Sequence, residues 1–122
     1  GVQTCALPIF FMDEPTSNLD PIGKEEVFEL ARKLNREDGL TVIVAEHECE
    51  VLAAYADRIV VLDKGKIVMV GTPSEVFARG PELAKLGLRV PQATELALAV
   101  DGVGAKNVPV TTEQAVKWVE AR

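Results

Sequence analysis

Residues that could do chemistry gather at two places in this chain. Asp13 and Glu14 follow directly on an apolar run, Phe10-Phe11-Met12. Such a run before two acids reads as the end of a buried strand whose carboxylates emerge at its C-terminal edge. Paired carboxylates there suit phosphoryl transfer: the first can hold Mg²⁺, directly or through water, and the second can orient or deprotonate a water. Taken alone the pair is a weak signal, because a solvated turn also carries acids. The second place is His47, the single histidine. It follows Thr41-Val42-Ile43-Val44-Ala45, which reads as a second buried strand. Ligands of open α/β sheets bind beyond the C-terminal ends of strands, so a histidine at one such end and carboxylates at another form a candidate site. Cys49 is two residues away, but two ligands make no metal site, and it is assigned to packing. Glu46 and Glu48 flank the histidine and read as solvated.

Regular elements must hold these groups in place. Residues 15–18, Pro-Thr-Ser-Asn, are turn chemistry. Asp20 can cap a helix with Pro21 at its first position. Val27, Leu30, Ala31 and Leu34 then recur at the spacing of an amphipathic helix, with Gly39 as its stop. Residues 48–56 predict a helix with Val51, Leu52 and Tyr55 on one side. A third strand is predicted over 58–62, a hairpin turn over 63–66 and a returning fourth strand over 67–70. Thr72-Pro73-Ser74-Glu75 predicts a capping box opening a short helix. The alternation of strands and helices implies an α/β fold with a parallel sheet and one antiparallel hairpin. Beyond Arg79, glycines and prolines break the chain into short helices, predicted over 81–86, 92–100 and 112–121. Thr111 and Gln114 form a second candidate capping box, residues 101–110 read as a loop or linker, and Trp118 is expected to pack a helix.

Composition narrows the class. The 122 residues allow one domain or part of a larger one, and 48% apolar with 26% charged residues argues against disorder. A formal charge of −6 disfavours an autonomous nucleic-acid binder, so no nucleic-acid partner is expected. No apolar run reaches the roughly 18 residues of a membrane span, so any membrane link is expected to go through a partner. Two cysteines make no disulfide framework, which fits a reducing cytosol. Residues 1–9, G-V-Q-T-C-A-L-P-I, match a conceptual translation of a widely used short-read sequencing adapter. They are read as adapter-derived and set apart from the fold, so that native sequence is expected from about Phe10 and Cys5 carries no meaning.

The wider context sharpens the carboxylate pair. Residues 13–21 read D-E-P-T-S-N-L-D-P, residues 42–47 V-I-V-A-E-H, residues 56–68 A-D-R-I-V-V-L-D-K-G-K-I-V and residues 71–76 G-T-P-S-E-V. Residues 10–79 thereby resemble the C-terminal half of an ABC-type ATPase domain. The resemblance implies an incomplete P-loop NTPase (RecA-like) sheet with flanking helices, a C-terminal β-hairpin and a small helical tail over 80–122. It implies ATP and Mg²⁺ as cofactors. Asp13 would be the Walker B carboxylate that helps hold Mg²⁺, Glu14 the carboxylate that polarises the attacking water, and His47 the switch histidine that contacts the γ-phosphate. Ser17, Asn18, Leu19 and Asp20 would form the D-loop, which touches the opposite subunit across an ATP-bound dimer. The tail, E-L-A-K-L-G-L-R-V-P-Q-A-T-E-L-A-L-A-V at 82–100 and V-P-V-T-T-E-Q-A-V at 108–116, looks like the C-terminal extension of energy-coupling-factor ATPases, which drive uptake of vitamins or of cobalt and nickel ions. V-A-E-H fits that group too. The implied partners are a second ATPase subunit and a transmembrane subunit, with the ATPase peripheral on the cytoplasmic face of the cell membrane.

The departures are equally specific. A phosphate cradle needs G-x-x-x-x-G-K-[ST], and none of the nine glycines begins that pattern. The L-S-G-G-Q signature and the glutamine loop are also absent. In the resembled family all three lie N-terminal to the Walker B strand, so truncation is the expected cause, and the 122-residue chain by itself is expected to be inactive and to bind ATP weakly or not at all. The family's P-loop strand lies between the switch-histidine strand and the next, so those two strands are expected either to stand apart with open edges or to close on each other. Marginal stability is expected with them. Two other readings remain at this point: the ATPase of another ABC system (importer, exporter or soluble), and a non-catalytic dimerisation or interaction module.

Overall fold

A computed structural model describes residues 8–122. Of residues 1–9, read as adapter-derived, 1–7 with Cys5 lie outside the described residues, whereas Ile9, set apart from the fold in that reading, opens the first strand. The described residues form two compact units, one ending at His47 and one running from Glu48 to Arg122.

The first unit is a strand, a long helix and a second strand: β1 (Ile9–Asp13), α1 (Pro21–Asp38) and β2 (Thr41–Ala45). β1 pairs with β2 in parallel, from Ile9 opposite Thr41 to Asp13 opposite Ala45. Parallel neighbours need a crossover, and α1 supplies it. Asp20 caps α1 by accepting from the Gly23 N–H, and Pro21 follows at the first helical position. Gly39, at φ 68°, turns the chain out of the helix with its N–H on the Leu34 carbonyl. The Asn35 Nδ2 donates to the Leu40 carbonyl at 2.8 Å, tying the short connection into β2. The buried side of α1 is centred on Phe28 and Ala31, whereas Leu30, expected inside, is 58% exposed. At roughly 100° per residue Leu30 lies well round the helix from the Phe28–Ala31 line, and a phenylalanine anchors the face more strongly.

The second unit runs α2 (Cys49–Tyr55), β3 (Ile59–Asp63), β4 (Lys66–Gly71), α3 (Pro73–Phe77), α4 (Gly80–Lys85), α5 (Gln92–Asp101) and α6 (Thr112–Glu120). β3 and β4 pair antiparallel around Lys64 and Gly65, both at positive φ. Positive φ at both turn positions matches the right-handed twist of a hairpin. Val68 is the extra residue where the register shifts. One face of the hairpin, Ile59, Val61 and Met69, packs with Ala53, Val76, Phe77, Leu83 and Val110. Thr72 and Glu75 close the expected capping box at α3. The box expected at α6 is shifted: Thr111 accepts from the Gln114 N–H, but the Gln114 side chain accepts from Val110, one residue earlier.

The residues beyond Arg79 are integral to this unit. Val110 lies in the hairpin core. Ser74 Oγ donates to the Val108 carbonyl at 2.9 Å, and Thr94 Oγ1, fully buried, donates to the Pro109 carbonyl at 2.8 Å. The Glu50 carboxylate accepts from the Gln92 N–H. Trp118 is half-buried under the Arg122 guanidinium, 4.5 Å from its ring centroid.

Among the described residues the strands form two two-stranded sheets, β1 with β2 and β3 with β4. The parallel β-α-β and the antiparallel hairpin are the elements the alternation predicts.

Leu83 is 1% exposed inside the core and Leu96 is 48% exposed on α5. Leu83→Ala is expected to lower the unfolding free energy in urea by about 2–5 kcal/mol, and Leu96→Ala to change it by no more than about 0.5 kcal/mol. Equal costs would contradict the assigned core.

Candidate active site

The parallel register of β1 and β2 sets Asp13 opposite Ala45. The next residues on both strands therefore leave the sheet at one edge. The Glu14 N–H still reaches the Ala45 carbonyl at 2.8 Å, one step beyond the ladder. Glu14 then turns at φ 43°, the left-handed region that a non-glycine residue seldom adopts. This turn brings the side chain to the histidine: His47 Nδ1 lies 3.3 Å from Glu14 Oε1. Both groups remain open to solvent, His47 at 67% and Glu14 at 53%. Asp13 is exposed at the same edge.

Ser17, Asn18, Leu19 and Asp20 lie just past this edge, all exposed. They are held by short-range backbone bonds, Ser17 N–H to the Glu14 carbonyl and Leu19 N–H to the Thr16 carbonyl. Asp20 is occupied as the cap of α1. The structure thus brings Glu14 and His47 into contact and leaves Ser17 to Leu19 as an exposed rim.

Two residues that the sequence reading passed over complete the edge. Glu46, expected to be solvated, has its side chain 2% exposed. Its Oε2 accepts from the Thr16 hydroxyl at 3.0 Å, and its Oε1 accepts from the His47 N–H at 3.0 Å. The same Oε1 lies 3.4 Å from His47 Nδ1. Thr16 is itself fully buried. A buried carboxylate is tolerated only with partners of this kind. The available signal was positional: once β1 and β2 pair in parallel, residues a few steps past each strand end must meet, and Thr16 and Glu46 do.

Cys49 behaves as expected of a packed thiol. Burial, and after it the Glu50 charge, pushes its pKa above the ordinary value, which disfavours a reactive thiolate. Among the described residues no three His, Cys, Asp or Glu side chains gather as a metal site. Asp13 offers one hard carboxylate donor at an open edge. That fits Mg²⁺, which takes one or two carboxylates and completes its shell with water and phosphate oxygens.

No family model matches the chain. Curated relatives do. The energy-coupling factor transporter ATP-binding protein EcfA1 of Caldanaerobacter subterraneus subsp. tengcongensis is 46% identical over 110 residues, which is 88% of this chain and 39% of that protein. EcfA1 of Clostridium novyi is 51% identical over 104 residues, 85% of this chain and 37% of that protein. The chain therefore spans under two fifths of the length of these relatives. Among solved structures, cbiO1 from Clostridium perfringens, part of the ABC transporter complex cbiONQ, matches with a TM-score of 0.54 and 35% identity, covering 73% of this chain and 36% of that one.

The positive φ of Glu14 has a measurable cost. Glu14→Gly and Glu14→Ala both remove the carboxylate, but only glycine occupies the left-handed region freely. Glu14→Gly is expected to be more stable in urea than Glu14→Ala by about 1 kcal/mol. A less stable glycine variant would contradict the strained turn.

Proposed function

We propose that this chain, a homologue of the ABC-type ATPases and of their energy-coupling-factor ATP-binding proteins, supplies the hydrolytic edge of an ATP site in the energising subunit of a transporter. The observation that carries the reading is the 3.3 Å approach of His47 Nδ1 to Glu14 at the paired ends of β1 and β2. Glu14 orients the attacking water and takes its proton, a role worth about 10²–10⁴ in rate. His47 addresses the γ-phosphate, where a preorganised polar group stabilises developing charge. Asp13 would hold Mg²⁺, which when bound supplies positive charge against the phosphate oxygens. The chain carries no phosphate cradle of its own, so in this reading ATP is held by other segments of the complete protein.

The exposed rim from Ser17 to Leu19, with Asp20 at its end, serves as the D-loop facing a second ATPase subunit. A transmembrane subunit is the other partner, and the ATPase sits peripherally on the cytoplasmic face of the cell membrane. Among the described residues no helix is long and apolar enough to cross a membrane. The transport driven is uptake of vitamins or of cobalt and nickel ions, as the tail resemblance implies.

In the complete ATP-binding subunit, Glu14→Gln and His47→Ala are each expected to cut kcat by about 10²–10⁴ while ATP binding stays within a few-fold of the parent. Steady-state hydrolysis with a nucleotide-binding titration reads both quantities. Undiminished hydrolysis in either variant would remove the assigned role.

A further inference from the structure

The switch histidine needs a fixed ring, yet its side chain is two-thirds exposed and its contact Glu14 is half exposed. Exposed pairs of this kind hold a side chain weakly. The fixed group beside the ring is Glu46. Its carboxylate is 2% exposed, is tied on one oxygen by the buried Thr16 hydroxyl, and is tied on the other by the His47 backbone N–H. That second oxygen also lies 3.4 Å from Nδ1.

A neutral imidazole carries its proton on either Nδ1 or Nε2, and the choice follows the partner of each nitrogen. Here a bare lone pair on Nδ1 would face two carboxylate oxygens, Glu14 Oε1 and Glu46 Oε1. A proton on Nδ1 turns both contacts from repulsive to attractive. From this we infer that Glu46, held by Thr16, is the positioning residue of the site: it fixes His47 as the Nδ1–H tautomer and leaves Nε2 for the phosphate. At an Nε2–phosphate contact Nε2 takes a proton from solvent, so that the ring becomes an imidazolium whose Nε2–H donates to the phosphate oxygen while Nδ1–H stays on the carboxylates, in keeping with the charge stabilisation proposed for His47. Glu46 touches neither nucleotide nor water in this scheme and acts only through His47. The inference rests on the proposed role of His47 for its functional meaning, but the tautomer can be read without nucleotide.

Because His47 is the single histidine, ¹⁵N NMR of the 122-residue chain assigns its two ring nitrogens without ambiguity. In its neutral ring the parent chain is expected to show a protonated Nδ1 and a bare Nε2. Glu46→Ala and Thr16→Val are each expected to lose that pattern, moving the two nitrogen shifts toward those of free histidine. Thr16→Ser, which keeps the hydroxyl, restores it. Glu14→Ala retains it, because Glu46 remains. Thr16→Val is nearly isosteric, which keeps the test open should Glu46→Ala fail to fold. A protonated Nε2 in the parent chain, or a pattern lost only in Glu14→Ala, overturns the proposal. In the complete subunit, a positioning role is expected to lower kcat in Thr16→Val at least tenfold with KM unchanged and Thr16→Ser near normal. If the tautomer responds as stated while His47→Ala hydrolyses ATP normally, positioning stands and the role given to His47 fails.

Discussion

The site depends on the parallel pairing of β1 and β2. Side chains alternate along a strand, so a one-residue slip would send every residue to the opposite face. The observed register, Asp13 opposite Ala45, puts Glu14 and His47 just beyond the last rung at one edge. Neither residue could find the other otherwise, since they are far apart in sequence and both are solvent-exposed. The helix α1 is the crossover between the two parallel strands, with Asp20 as its cap and Gly39 as its stop.

Around that edge the chain spends stability on geometry. Glu14 adopts a left-handed backbone without being glycine, and Glu46 takes a carboxylate out of water. Each departure is matched by a specific partner: the Ala45 carbonyl receives the Glu14 N–H, and Thr16 with the His47 amide satisfies Glu46. Local strain and buried charge held in place by such partners are characteristic of sites that must present a fixed constellation.

Much of this was legible in the residues. D-E-P-T-S-N-L-D marked the strand end and its loop, and the apolar run at 41–45 gave β2 with its observed limits. Pro21, Gly39, and the Thr72–Glu75 box marked element ends because capping is local chemistry, set within a few residues. What was not legible required tertiary information. Leu30 and Phe28 both fit an amphipathic pattern, and only the packing of α1 decides which faces inward. Glu46 looked like a solvated acid because its partner Thr16 lies 30 positions away. The Gln114 side chain chose Val110 over Thr111 because the chain entering α6 is itself buried. In each case a local signal was correct in type and wrong in partner.

The central claim is that Glu14 and His47 act as one unit. A double-mutant cycle on the kcat of the ATP hydrolysis proposed for the complete protein tests it most directly, using Glu14→Gln, His47→Ala and the two together. The account predicts a double variant no slower than the slower single variant, because removing either group disables the pair. Losses that multiply would mean that the two residues work independently, and would contradict the site built on their contact.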